Sequence, residues 1–172
     1  METQAPQQQQ AHLAQVNNVP SKGWVILFGA FALLGFLDAT YLTIKHYLGT
    51  PLPCSILHGC EIVTTSIYSV IAASSNGSGG IPIALLGALY YLTILTMVII
   101  YFDTKKIAVL KAACRLSIIG FLVSLVLVYL QLFVLHAICL YCMFSATTST
   151  LIFITAMYLL ALMKSQNKDV KE

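Results

Sequence analysis

Two thiols separated by two residues, Cys139 and Cys142 in HAICLYCMFSA at 136–146, are the pair in this chain best suited to chemistry. At that spacing the sulfurs can close a disulfide, exchange with another one or share a metal ion. If the pair opens a helix, Cys139 stands beside backbone N–H groups that lack intrahelical partners, at the positive end of the helix dipole. Both effects favour thiolate, so the spacing predicts a redox pair with a lowered pKa at its first sulfur. A second pair, Cys54 and Cys60 in CSILHGC, encloses a very small loop. Such a bridge restrains the unfolded chain little and is redox-labile when strained or exposed. Cys114 stands apart and reads as a packing residue. A metal competes for the same groups. The four paired cysteines with His58 and His136 are soft ligands, so a membrane protein that binds or transports copper or zinc is the alternative. Neither pair has the short paired knuckles of a zinc ribbon.

The elements that must position these thiols are membrane helices. Of 172 residues, 59% are hydrophobic and 9% charged, which excludes a disordered chain and an ordinary soluble domain. A spanning helix needs about 20 mostly apolar residues, and four windows qualify: 24–44, 81–102, 116–138 and 139–163. The expected fold is an all-α membrane protein, a four-transmembrane-helix bundle occupying 23–164. A polar, Gln-rich and disordered tail precedes it at 1–22, and a second tail follows at 165–172. Lys22, Lys105, Lys106, Lys111, Arg115, Lys164, Lys168 and Lys171 fall on one side of this map, and only Lys45 on the other. The positive-inside rule makes that side cytoplasmic. Both termini are then cytoplasmic in a multi-pass cell (inner) membrane protein. The loop 49–80 and both cysteine pairs face the periplasm or exterior, where disulfides persist. The +3 net charge follows from this topology and gives no reason to expect nucleic acid.

Depth divides the work of the late pair. On a helix Cys142 lies about 4.5 Å further along the axis than Cys139. Cys139 is therefore better placed for exchange with a loop disulfide, and Cys142 for a partner dissolved in the bilayer. Thiol–disulfide chemistry moves two electrons, and a quinone is a lipid-soluble acceptor of two. In the loop, 61–73 reads as a short interfacial half-helix with Ile62, Val63, Ile67 and Val70 on one face. Ser66 interrupts that face and is a candidate donor to a quinone oxygen or a thiolate, or to its own backbone. Asp38, an acid inside the first span, is a candidate for proton movement or for a hydrogen bond from Tyr41. Tyr90 and Tyr91 are candidate walls of a quinone pocket or packing aromatics. Gly87 is expected to permit close helix packing. His136 is a candidate proton relay or an ordinary interfacial histidine.

In ordered combination, DATYLT in the first span, PCSILHGC followed by Val63, Ser66 and Tyr68, GIP at 80–82 and CLYCMFSA at 139–146 resemble the vitamin K epoxide reductase (VKOR) family in its bacterial or archaeal form. The resemblance covers roughly 24–163. It implies a four-helix bundle around a quinone (ubiquinone, menaquinone or phylloquinone). It also implies an electron path from a thioredoxin-like or DsbA-like partner through Cys54/Cys60 to Cys139/Cys142, with Cys142 beside the quinone and Ser66 at the family's loop hydroxyl. Many relatives carry a fused thioredoxin-like domain. This chain ends at Glu172 without one, so the implied partner acts in trans.

Overall fold

The computed structural model describes residues 22–49, 63, 70–71 and 81–169. Helix α1 spans Lys22–Leu48, α2 spans Ile83–Thr104, α3 spans Ile107–Tyr129 and α4 spans Leu140–Asp169. A π-helical turn, Leu130–Val134, extends α3. These form four candidate membrane spans, Lys22–Leu48, Ile83–Thr104, Ile107–Val134 and Leu140–Lys164. Helices are the required solution here, because each satisfies its own backbone where no water is present. Side-chain hydroxyls follow the same rule. Thr43, Thr93, Thr96, Thr150 and Thr155 each donate to the carbonyl four residues earlier, at 2.7–2.9 Å.

Helix α1 packs on α2 and α4, and α3 packs on the same two helices, so α1 and α3 stand at opposite corners. The core fills one half of the bundle. There Val25, Phe28 and Ala32 of α1 meet Ile94, Val98 and Tyr101 of α2, Leu110 and Ala113 of α3, and Ile152, Ala156 and Leu159 of α4. Cys114 is fully buried in this cluster as a free thiol, the packing role its sequence context suggests. Large apolar side chains such as Ile26, Leu37, Ile99, Val126 and Ile154 cover the outside. Such a surface fits hydrocarbon rather than water.

Two glycines set the fit between helices. A Cβ at Gly35 would stand 2.5 Å from the Tyr91 ring, and one at Gly120 would collide with the Tyr90 ring. Gly87, the glycine expected to serve close packing, would place its Cβ 3.7 Å from that of Ala39. That is an ordinary contact, so the closest approaches among the described glycines belong to Gly35 and Gly120.

Two boundaries depart from the sequence expectation. Helix α3 begins at Ile107, so Lys111 and Arg115 lie in its first turns rather than in a connecting loop. Long basic side chains at a span's end can reach the interface while their stems stay in apolar surroundings. The expected half-helix 61–73 is helical at Val63, but Val70–Ile71 form an antiparallel strand with Ile81–Pro82. β-branched residues favour that conformation, and Pro82 tolerates it at φ −66°, ψ 137° while serving as the N-cap of α2. The rest of the half-helix, the Gln-rich tail, and Cys54, Cys60 and Ser66 lie outside the described residues.

Candidate active site

The last turn of α3 presents the cysteine pair. The π turn closes with the Leu135 N–H donating to the Leu130 carbonyl at 2.9 Å, and Ala137 N–H reaches the Gln131 carbonyl at 3.1 Å. Between them His136 takes φ 47°, the left-handed conformation that ends helices. This sharp exit is why the third span stops at Val134 rather than Ile138. The Cys139 N–H then donates to Oε1 of the buried Gln131 at 3.2 Å. The Cys139 carbonyl accepts the Met143 N–H at 3.0 Å, which makes Cys139 the N-cap of α4.

Both sulfurs are free thiols, with Cys139 buried and Cys142 partly exposed. The Cys139 thiol is drawn down from 9.0 to about 7, chiefly because the Cys142 thiol donates to it. Burial opposes this, the backbone N–H groups of Cys142 and Tyr141 assist, and the Asp38 charge opposes again. The N-cap position adds the backbone donors that the spacing predicts, and the Cys142 thiol lowers the Cys139 thiol more than they do.

Beside the pair, the half of the bundle beyond the core opens into an apolar cavity of about 480 Å³. Cys142 stands in its wall, and Cys139 does not. Ala39 and Leu42 of α1, Gly87 of α2, and Val123 and Leu127 of α3 supply much of the apolar lining. Val63 from the loop segment also joins it.

The candidates named from sequence separate in space. Tyr91 reaches the cavity wall, but its hydroxyl is committed to α4: it donates to the Ser145 carbonyl at 3.0 Å and lies 3.3 Å from Ser145 Oγ and 3.4 Å from Thr148 Oγ1. Its neighbour Tyr90 also lines the cavity, and the Tyr90 and Ser149 hydroxyls are buried close together, yet neither makes a well-formed hydrogen bond. Asp38 is near enough to act on Cys139 but does not line the cavity. Its Oδ2 is buried without a hydrogen-bond partner among the described residues. Tyr41 turns from it to the Tyr141 ring, 5.4 Å away between centroids. His136 is exposed and absent from the wall.

Several polar wall residues, Ser149 among them, were not sequence candidates. His46, in the last turn of α1, lines the cavity. So does Gln131, a lone amide in the apolar run VLVYLQLFVL. A polar side chain in such a run is a signal for function, and eight residues separate it from Cys139. Among the described residues no three His, Cys, Asp or Glu side chains converge as a metal site.

Comparison with known families matches residues 26–157 to the model of the vitamin K epoxide reductase family. No curated protein matches the chain.

Proposed function

Because the chain belongs to the vitamin K epoxide reductase family, whose members are membrane redox enzymes, we propose that it is a thiol:quinone oxidoreductase serving disulfide formation outside the cytoplasm. The observation that supports this best is the split of the cysteine pair. Cys142 lines an apolar cavity while Cys139 caps the helix beside it. The wall fits a quinone: it is apolar enough for a ring and prenyl tail, and the adjacent Tyr90 and Ser149 hydroxyls make no well-formed hydrogen bond among the described residues. A quinone supplies a sink for two electrons and two protons.

The residues act in sequence. A reduced thioredoxin-like partner attacks the Cys54–Cys60 disulfide from the outer face and leaves oxidised. One of the freed loop thiols attacks the Cys139–Cys142 disulfide through a mixed disulfide, which resolves to the loop disulfide and the Cys139/Cys142 dithiol. Cys139, stabilised as thiolate, accepts the hydrogen bond of the Cys142 thiol. When the Cys139 thiolate and the Cys142 thiol close again, they give up two electrons and one proton. These would pass to a quinone in the cavity, and its second proton would be the one Cys139 shed on becoming thiolate. Asp38 beside the pair can hold a proton in transit, and Ser66 steadies the acceptor or the thiolate from the loop.

Anaerobically reduced protein mixed with a short-chain quinone tests this reading. Quinol should appear in stoichiometric amount as Cys139 and Cys142 become a disulfide, and Cys142→Ala should abolish it. Unchanged quinol formation in Cys139→Ala and Cys142→Ala would exclude the scheme.

A further inference from the structure

Gln131 holds the cysteine turn with one end of its amide and meets the cavity as part of its wall. The Cys139 backbone contributes a hydrogen, so the end it meets at 3.2 Å must be the oxygen, Oε1. That assignment leaves the NH2 as the other end. The NH2 has no hydrogen-bond partner among the described residues, although the side chain is only 3% exposed and forms part of the cavity wall with Cys142. An amide placed in an apolar run is costly unless both ends are used. The backbone around it is also specialised: the π turn begins one residue earlier, at Leu130, and the Gln131 carbonyl accepts the Ala137 N–H. π turns of this kind are frequent at functional sites.

We infer that Gln131 is a bridging residue, whose Oε1 fixes the Cys139 turn while its NH2 donates to one carbonyl oxygen of a quinone in the cavity. The inference rests on the thiol:quinone reading and adds the group that orients the acceptor against Cys142. A donor aimed at that oxygen stabilises the charge it gains as two electrons arrive from the dithiol. One proton comes from the Cys142 thiol and the other is the one Cys139 shed on becoming thiolate, so Gln131 itself gains and loses none. It also couples the halves of the reaction, because movement of the cysteine turn pulls on the amide that holds the acceptor.

The test uses the full chain in nanodiscs, with Cys139 and Cys142 oxidised so that no turnover occurs. The probe is a short-chain benzoquinone carrying ¹³C at its carbonyls, followed by isotope-edited infrared spectroscopy. Two variants separate the roles: Gln131→Met, of similar volume, removes both ends, and Gln131→Glu keeps an acceptor for the Cys139 N–H but loses the amide donor. In the wild-type protein one carbonyl band should shift to lower frequency than the other. Both variants should lose that asymmetry and bind the quinone at least tenfold more weakly. In separately reduced samples, Gln131→Met should also raise the pH midpoint of Cys139 alkylation, because the turn loosens. If Gln131→Glu, or a folded Gln131→Met, keeps wild-type affinity and unmoved carbonyl bands, the bridging role is overturned. If the wild-type protein binds no quinone at all, the acceptor reading itself fails and this inference goes with it.

Discussion

At the scale of single residues, the chemistry depends on which sulfur carries charge. Cys139 is held at about 7 mainly by the Cys142 thiol, against an ordinary value of 9.0. Alkylation of Cys139, followed by mass mapping with Cys54, Cys60 and Cys114 replaced, should therefore show a midpoint near pH 7. Cys142→Ala should move it upward. Asp38 opposes the thiolate, so Asp38→Asn should move the midpoint down, and an upward shift would contradict the contact. The sign for stability follows. A depressed thiol stabilises the folded dithiol form above its ordinary value, and that contribution disappears as pH falls through about 7. Much of this could be read in advance. Cys-x-x-Cys at a helix start already implied a capped thiolate, because helix ends always leave N–H groups free. Gln131 and His46 could not be placed, since nothing local says which face of a helix will border a cavity.

At the scale of elements, apolar length revealed the four spans, but their contacts depend on neighbours that sequence alone does not pair. The approach of α1 to α2 depends on Gly35, where a Cβ would stand 2.5 Å from the Tyr91 ring. Tyr91 in turn bonds α4 at Ser145, one turn beyond Cys142. Gly35→Ala should push that ring aside and break its bonds, at a cost of about 1–3 kcal/mol for overpacking. Tyr91→Phe, which removes only the hydroxyl, should cost about 1 kcal/mol. Thermal unfolding in one detergent should rank Gly35→Ala below Tyr91→Phe and both below the wild type. The reverse order would mean that the bonds to α4, rather than the close approach, hold this corner. The strand Val70–Ile71 shows the opposite limit of legibility. Its residues suit an amphipathic helix by period and a strand by branching, and pairing with Ile81–Pro82 decides the matter.

At the scale of the whole molecule, a sealed half and an open half share one bundle. The buried cluster around Phe28, Ile94, Leu110 and Ile152 closes one end, and the cavity with Cys142 occupies the other. In the scheme proposed above, electrons from a thiol partner would have a short path from the Cys139 rim to the cavity and a packed barrier beyond it. Direction along that path depends on redox poise, and the poise carries a signature of the geometry. With both thiols protonated, reducing the pair takes up two electrons and two protons, so its potential should fall by about 59 mV per pH unit. Once Cys139 is thiolate the same reduction takes up one proton, and the slope should halve to about 30 mV per pH unit. The break belongs near pH 7, where the Cys142 hydrogen bond holds Cys139. Below it the dithiol loses the stabilisation that makes the disulfide a good oxidant. Equilibration of the quinone-free protein with thiol buffers from pH 6 to 9, scored by alkylation of Cys139 and Cys142, measures the slope. A uniform 59 mV across that range would show that Cys139 keeps its proton, and the capped thiolate could not then be the group that exchanges with the loop.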